Sequence, residues 1–158
     1  MSEPTGTTPY APYDQTLNVF GETVILRRDP LGSSLDAAVI EEVVPPGVAG
    51  PWHRHSREDE VSYVVEGTFR IWRGEQVFDI GPGGVAMLPC HQAHTFQNVG
   101  PSTGRLLTVI TPAGLERFFQ VVAERGLGED DLDEVVAIAA EFGVEILGPP
   151  PESQYART

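Results

Sequence analysis

Residues 51–67 read "PWHRHSREDEVSYVVEG", which places two of the chain's four histidines one residue apart and follows them with three consecutive acids. Along a β-strand, side chains two apart point to the same face. His53 and His55 therefore present both imidazoles to one side, with Arg54 facing the other. Packing neutral imidazoles together leaves polar nitrogens in need of partners, and a divalent metal satisfies both at once. Glu58, Asp59 and Glu60 all offer oxygen ligands. Glu60 abuts the apolar run "VSYVV", where an unpaired carboxylate is costly, whereas Glu58 and Asp59 fall in the polar turn "SRED" and are expected to be solvated.

On both sides of this stretch the chain keeps the same style. Short apolar or alternating runs, among them "ETVILRR", "LDAAVIEEVV", "TFRIW", "QVFDI", "VAML" and "RLLTVIT", are punctuated by Gly and Pro from residue 15 to residue 111. The 17 Gly and 14 Pro are too many for a helical bundle and suit short strands joined by turns, as in a sandwich or barrel. After residue 111 the period becomes helical. Thr111 can cap and Pro112 suits a first helical position, with Leu115, Phe118, Phe119 and Val122 as the apolar stripe and Gly126 as the stop. A second helix is expected from Asp131, with Glu134 as capping-box partner, the stripe Leu132, Val135, Val136 and Ala139, and a stop at Gly143. The chain thus divides into a tail at 1–14, a β body at 15–111, a helical extension at 112–148 and a tail at 149–158, both tails read as flexible from their Pro-rich polar composition.

The motifs on either side of the body resemble those of the cupin superfamily. "HRHSREDEVSYVVEG" matches its first motif at His53, His55, Glu60 and Gly67, and "GGVAMLPCHQAHTFQN" is similar to its second at Gly83, Pro89, His94 and Asn98. One position departs: His91 stands where the second motif usually has Gly, which puts the usual tight turn in doubt but not the ligands. The resemblance implies a mainly β fold, a double-stranded β-helix (jelly-roll) barrel carrying a C-terminal pair of α-helices. It also implies that His53, His55, Glu60 and His94 converge on one divalent transition metal. Three imidazoles and a carboxylate suit Fe, Mn, Ni, Co, Cu or Zn, and leave two positions open on an octahedral ion. By strand alternation Ser62 shares the face of Glu60, and Phe96 that of His94, which makes these two the expected pocket walls. Phe96 stacks on an aromatic ligand or is plain barrel core; Asn98 is expected to secure a turn.

Several partners and chemistries are disfavoured. A net charge of -13 argues against nucleic acid and anionic membrane as partners. One cysteine, Cys90, makes no internal disulfide, and together with the absence of a signal-like N-terminus it points to a cytoplasmic protein. "GPGGV" lacks the Lys and Ser/Thr of a phosphate loop and reads as a turn; Cys90 and His91 are adjacent, so on a strand they point apart and make a poor nucleophile–base pair. The chain looks like small bacterial cupins similar to quercetin 2,3-dioxygenase. That implies a dioxygenase acting on a small aromatic or enolic substrate, working as a homodimer, with Glu60 as ligand and as the base that takes the substrate's proton. The alternatives are a metal-dependent isomerase or cyclase, and a binding or sensing cupin without turnover.

Overall fold

The computed structural model describes residues 14–151, so the expected tails lie outside the described residues except for Asp14 and residues 149–151. Eleven strands and two helices follow one another as β1 (Gln15–Val19), β2 (Glu22–Arg27), β3 (Ala38–Val44), β4 (Trp52–His55), β5 (Asp59–Glu66), β6 (Phe69–Arg73), β7 (Gln76–Ile80), β8 (Val85–Leu88), β9 (His94–Asn98), β10 (Gly104–Thr111), α1 (Glu116–Arg125), α2 (Leu132–Glu141) and β11 (Val144–Gly148). They form two antiparallel sheets. The first has the order β1-β2-β3-β10-β5-β8 and the second β11-β4-β9-β6-β7, a jelly roll in which neighbours in the chain often sit in opposite sheets.

Alternation explains the elements. In β3 and β10 every second residue is buried and the others are half-exposed or exposed, the pattern of strands with one face on a core. Two apolar clusters fill the molecule. One joins Leu17, Val24, Leu26, Ile40 and Ile110 to the helix residues Leu115, Phe118, Val122, Val135 and Ile138. The other gathers Val44, Val64, Phe69, Ile71, Leu88 and Leu106. Gly67 makes the turn between β5 and β6 at φ 89°, and a Cβ there would stand 2.9 Å from the Cα of Gly104, so two strands meet at a point that admits no side chain.

The helical segment differs from its expectation in detail. Thr111 ends β10 and its hydroxyl donates to the carbonyl of Asp36, so it caps nothing, and α1 begins at Glu116. Gly126 does close α1 in the left-handed conformation at φ 63°. Ahead of α2, Asp131 accepts from the N–H of Gly128 in a preceding 3-10 turn, and Glu134 pairs with Arg125 instead of closing a capping box. The buried face of α2 is Val135, Ile138 and Ala139, while Leu132 is exposed. The chain then returns as β11, which lies beside β4, the strand that carries His53 and His55.

Candidate metal centre

The four expected ligands come from three strands. β4 supplies His53 and His55, β9 supplies His94, directly opposite His53, and β5 supplies Glu60 from the other sheet. The imidazoles of His53, His55 and His94 lie within 4.8 Å of one another by their nearest ligand atoms. Nε2 of His53 is 3.1 Å from Nε2 of His55, and Nε2 of His94 is 3.1 Å from Oε2 of Glu60. Oε1 of Glu60 is 3.6 Å from Nε2 of His55.

These contacts test whether a cation fits. Nδ1 of His53 faces the Pro51 carbonyl at 2.7 Å and Nδ1 of His94 faces the Gln92 carbonyl at 3.1 Å. A carbonyl only accepts, so both rings carry their proton on Nδ1 and turn a bare Nε2 lone pair inward. Nitrogen lone pairs and a carboxylate then converge at hydrogen-bond distance, an arrangement that either shared protons or a divalent ion satisfies. Metal–nitrogen bonds of about 2.1 Å at right angles or tetrahedral angles put ligand atoms roughly 3.0–3.4 Å apart, which the His53–His55 and His94–Glu60 pairs match and the 3.6 Å His55–Glu60 pair slightly exceeds.

Electrostatics agree. Burial, then the neighbouring His94 and His55, lower the pKa of His53 to about 3, so its ring is neutral, the form that binds metal. Burial alone would raise the Glu60 carboxyl. A hydrogen bond from His94 when that ring carries a proton on Nε2, and the positive charge of the surrounding imidazoles when protonated, outweigh it and hold Glu60 at about 2.

The turn after β4 corrects one expectation. Asp59 is exposed and accepts from the Cys90 N–H, but Glu58 is 1% exposed and stands behind His55, its Oε2 3.4 Å from Nδ1. It is buried because the turn folds inward between β4 and the start of β11, where Ser56 N–H donates to the Gly143 carbonyl. His91, in the place of the motif glycine, keeps the turn by adopting a left-handed φ of 69°, and its N–H donates to the His55 carbonyl at 2.7 Å. The Cys90 thiol is directed to the same carbonyl.

The two expected walls, Ser62 and Phe96, are not among the residues that line the cleft beside Glu60. Ser62 is buried on the Glu60 side of β5, and its hydroxyl lies 3.0 Å from that of Thr108. Phe96 is half-buried and meets Phe69 edge-on at 6.0 Å, beside the second core cluster. Asn98 does secure a turn, through the carbonyls of Val44 and Ser102 and the N–H of Gly100. Two residues near the site, one buried and one half-buried, were not foreseen. Glu42 accepts from Thr108 Oγ1 at 3.0 Å, and its carboxyl is raised to about 7 by burial and then by the charge of Glu60. Arg73 stands opposite His94 on the second sheet and hydrogen-bonds two neutral acceptors, the Met87 carbonyl and the Gln76 amide. Glu60, Arg73, Leu88 and Gln92 line a cleft of about 490 Å³. Parity was the available signal: Glu42 shares the inward face of "AVIEEVV" with Ile40 and Val44, and Arg73 that of "FRIWR" with Phe69 and Ile71.

The fold and this candidate ligand set coincide with a sequence match to the family described as Cupin domain over residues 40–110, which contains all four candidate ligands. Residues 40–110 form a cupin domain. Among solved structures, the chain is similar to KdgF from Halomonas sp., at 20% identity over 65% of this chain and 90% of that one, with a TM-score of 0.58. It is also similar to an RmlC-like cupin from Shewanella frigidimarina, at 23% identity over 73% and 96% of the two chains, TM-score 0.57. These two likenesses speak for the fold. A third, to a sugar phosphate isomerase from a cupin superfamily of Silicibacter pomeroyi, has 25% identity over 59% of this chain and 60% of that one, TM-score 0.53. No curated protein matches the sequence.

Proposed function

We propose that this cupin is a metal-dependent enzyme, a dioxygenase acting on a small enolic or aromatic substrate rich in oxygen. The observation that carries the reading is the convergence of three imidazole nitrogens and one carboxylate, from both sheets, beside an open cleft. His53, His55, His94 and Glu60 would hold the ion, and four protein ligands leave two positions on a six-coordinate metal. When bound, the ion supplies Lewis acidity toward a substrate oxygen and, if redox-active, a route for electrons to dioxygen.

The chain's own residues supply the rest. Glu60, held ionised, is the acceptor for a proton leaving the substrate. Arg73 offers a cation at the cleft for an anionic or oxygen-rich group.

A second reading, an isomerase that moves a proton without oxygen, is favoured by Glu42. With Thr108 donating to Glu42, the single hydroxyl hydrogen of Thr108 is committed, so Ser62 donates to Thr108. Protonation of Glu42 reverses both bonds, and the three groups form a path along which a proton can be exchanged inside the barrel. The likeness to the sugar phosphate isomerase supports the same reading.

One experiment separates them. Tag-free protein is assayed for bound metals, loaded with Fe, Mn, Co, Ni or Zn, and offered flavonol-like, enolic and hydroxy-carbonyl compounds with and without oxygen. Oxygen uptake matched to product supports the dioxygenase. Anaerobic turnover with deuterium taken from solvent supports the isomerase. Failure to take up any metal sinks both.

A further inference from the structure

Two of the three imidazoles have their proton position set by the main chain, His53 by the carbonyl of Pro51 and His94 by the carbonyl of Gln92. His55 has no such carbonyl at Nδ1. Its Nδ1 is buried with no hydrogen-bond partner, and so are both carboxylate oxygens of Glu58. These orphaned atoms lie together: Oε2 of Glu58 is 3.4 Å from Nδ1 of His55, with side chains 1% and 3% exposed. The nearest cation to Glu58 is Arg57, whose Nη2 is 3.4 Å from Oε1 but whose side chain is 56% exposed. A buried carboxylate without a bonded donor is rare in folded proteins and asks for a function.

We infer that Glu58 is the positioning carboxylate of the centre, holding the proton of His55 on Nδ1 and so turning the Nε2 lone pair toward the metal position. The inference rests on reading His53, His55, Glu60 and His94 as a metal centre. A carboxylate only accepts, so a Glu58 facing Nδ1 selects the Nδ1–H tautomer, as the two carbonyls do for the other rings. A cation at Nε2 withdraws density from the ring and makes Nδ1–H a stronger donor, so a 3.4 Å separation closes into a charge-assisted bond on loading. The backbone holds Glu58 in place for this. Ser56 N–H donates to the Gly143 carbonyl at 2.9 Å, and Arg57 donates to the Phe142 carbonyl at 3.2 Å, which pins the turn to the end of α2. All three ligating imidazoles then have an acceptor behind them, two on the main chain and one on a side chain.

The test reads the ring directly as well as the metal. Proton–nitrogen correlation spectra of the metal-free protein, with His55 assigned by its substitution, show which nitrogen carries the proton. Zinc affinity is measured by competition with a coloured chelator for the wild type, Glu58→Ala and Glu58→Gln. The expected result is an Nδ1–H tautomer of His55 in the wild type and a loss of zinc affinity of about 10–100-fold in Glu58→Ala. Glu58→Gln, whose amide oxygen still accepts, recovers most of that affinity. A merely structural Glu58 would alter melting without moving the tautomer. A His55 protonated on Nε2 in the wild type, or a Glu58→Ala affinity within about twofold of wild type, overturns the inference. Should Glu58→Ala fail to fold, the wild-type tautomer and Glu58→Gln decide it. Wild-type protein that takes no metal sinks the metal reading alone, because the tautomer is read without metal.

Discussion

A carboxylate inside a barrel must find a donor or keep its proton, and Glu42 does both. It is 7% exposed, accepts one bond from Thr108 and sits within the field of Glu60, which together with burial lifts it from 4.5 to about 7. A folded-state pKa above the unfolded value means that the folded protein holds the proton more tightly. The associated stability is full below about pH 4.5 and is lost as pH rises through about 7, on the order of 3 kcal/mol in total. Glu42→Gln has no proton to lose. In metal-free protein its melting temperature should pull ahead of wild type between about pH 5 and pH 8, and thermal scans across that range check it. Two parallel curves would show that Glu42 does not titrate in the fold. At this scale the sequence told much about His53, His55 and Glu60, because strand parity and the acid's place beside an apolar run are local facts. Glu58 was illegible for a matching reason: it lies in a turn, where no periodicity applies, and its burial depends on residues some 85 positions away.

Among the elements, β11 shows where local reading runs short. "VEILG" is five residues of weak alternation after a helix, and it becomes a strand because β4 offers it an edge. β4 needs that neighbour. Its ladder with β9 is confined to the His53–His94 pair, whereas β11 pairs with all four of its residues, Val144 opposite His55 and Ile146 opposite His53. The strands "VAML" and "RLLTVIT" were legible by contrast, since their alternation reports one buried face whatever the partner, and "ETVILRR" was legible as a short apolar run whose Val24, Ile25 and Leu26 are all buried. The turn into β11 gives a differential test. Gly143 has φ 75°, and a Cβ there would meet Ser56 Oγ at 2.6 Å; Gly126 has φ 63° with open space around it. Alanine at either site costs about 1–2 kcal/mol of left-handed strain, or several degrees of melting temperature. Gly143→Ala should also weaken zinc binding, because it displaces the Ser56–Glu58 turn behind His55, whereas Gly126→Ala should not. Equal zinc affinity in the two variants would show that this turn does not support the centre.

The whole molecule is two sheets closed over two apolar clusters, and the proposed metal position is where they are joined by chemistry. His53, His55 and His94 belong to the five-stranded sheet, while Glu60 reaches in from the six-stranded one. A bound ion would link the sheets in the folded state, and the unfolded chain does not assemble that set, so metal binding stabilises the fold. At a free metal concentration one hundred times its dissociation constant the gain is about 2.7 kcal/mol. For a chain of this size that corresponds to a rise of roughly 5–11 °C in melting temperature. His53→Ala and His94→Ala should lose most of the rise in a chelator-versus-metal melting comparison. Asp59→Ala should keep it, since Asp59 is exposed and bonds only the Cys90 N–H among the contacts described. If the wild type melts at the same temperature with chelator and with each of the candidate metals, the four side chains hold no ion that matters to the fold, and their convergence is a feature of the folded barrel alone.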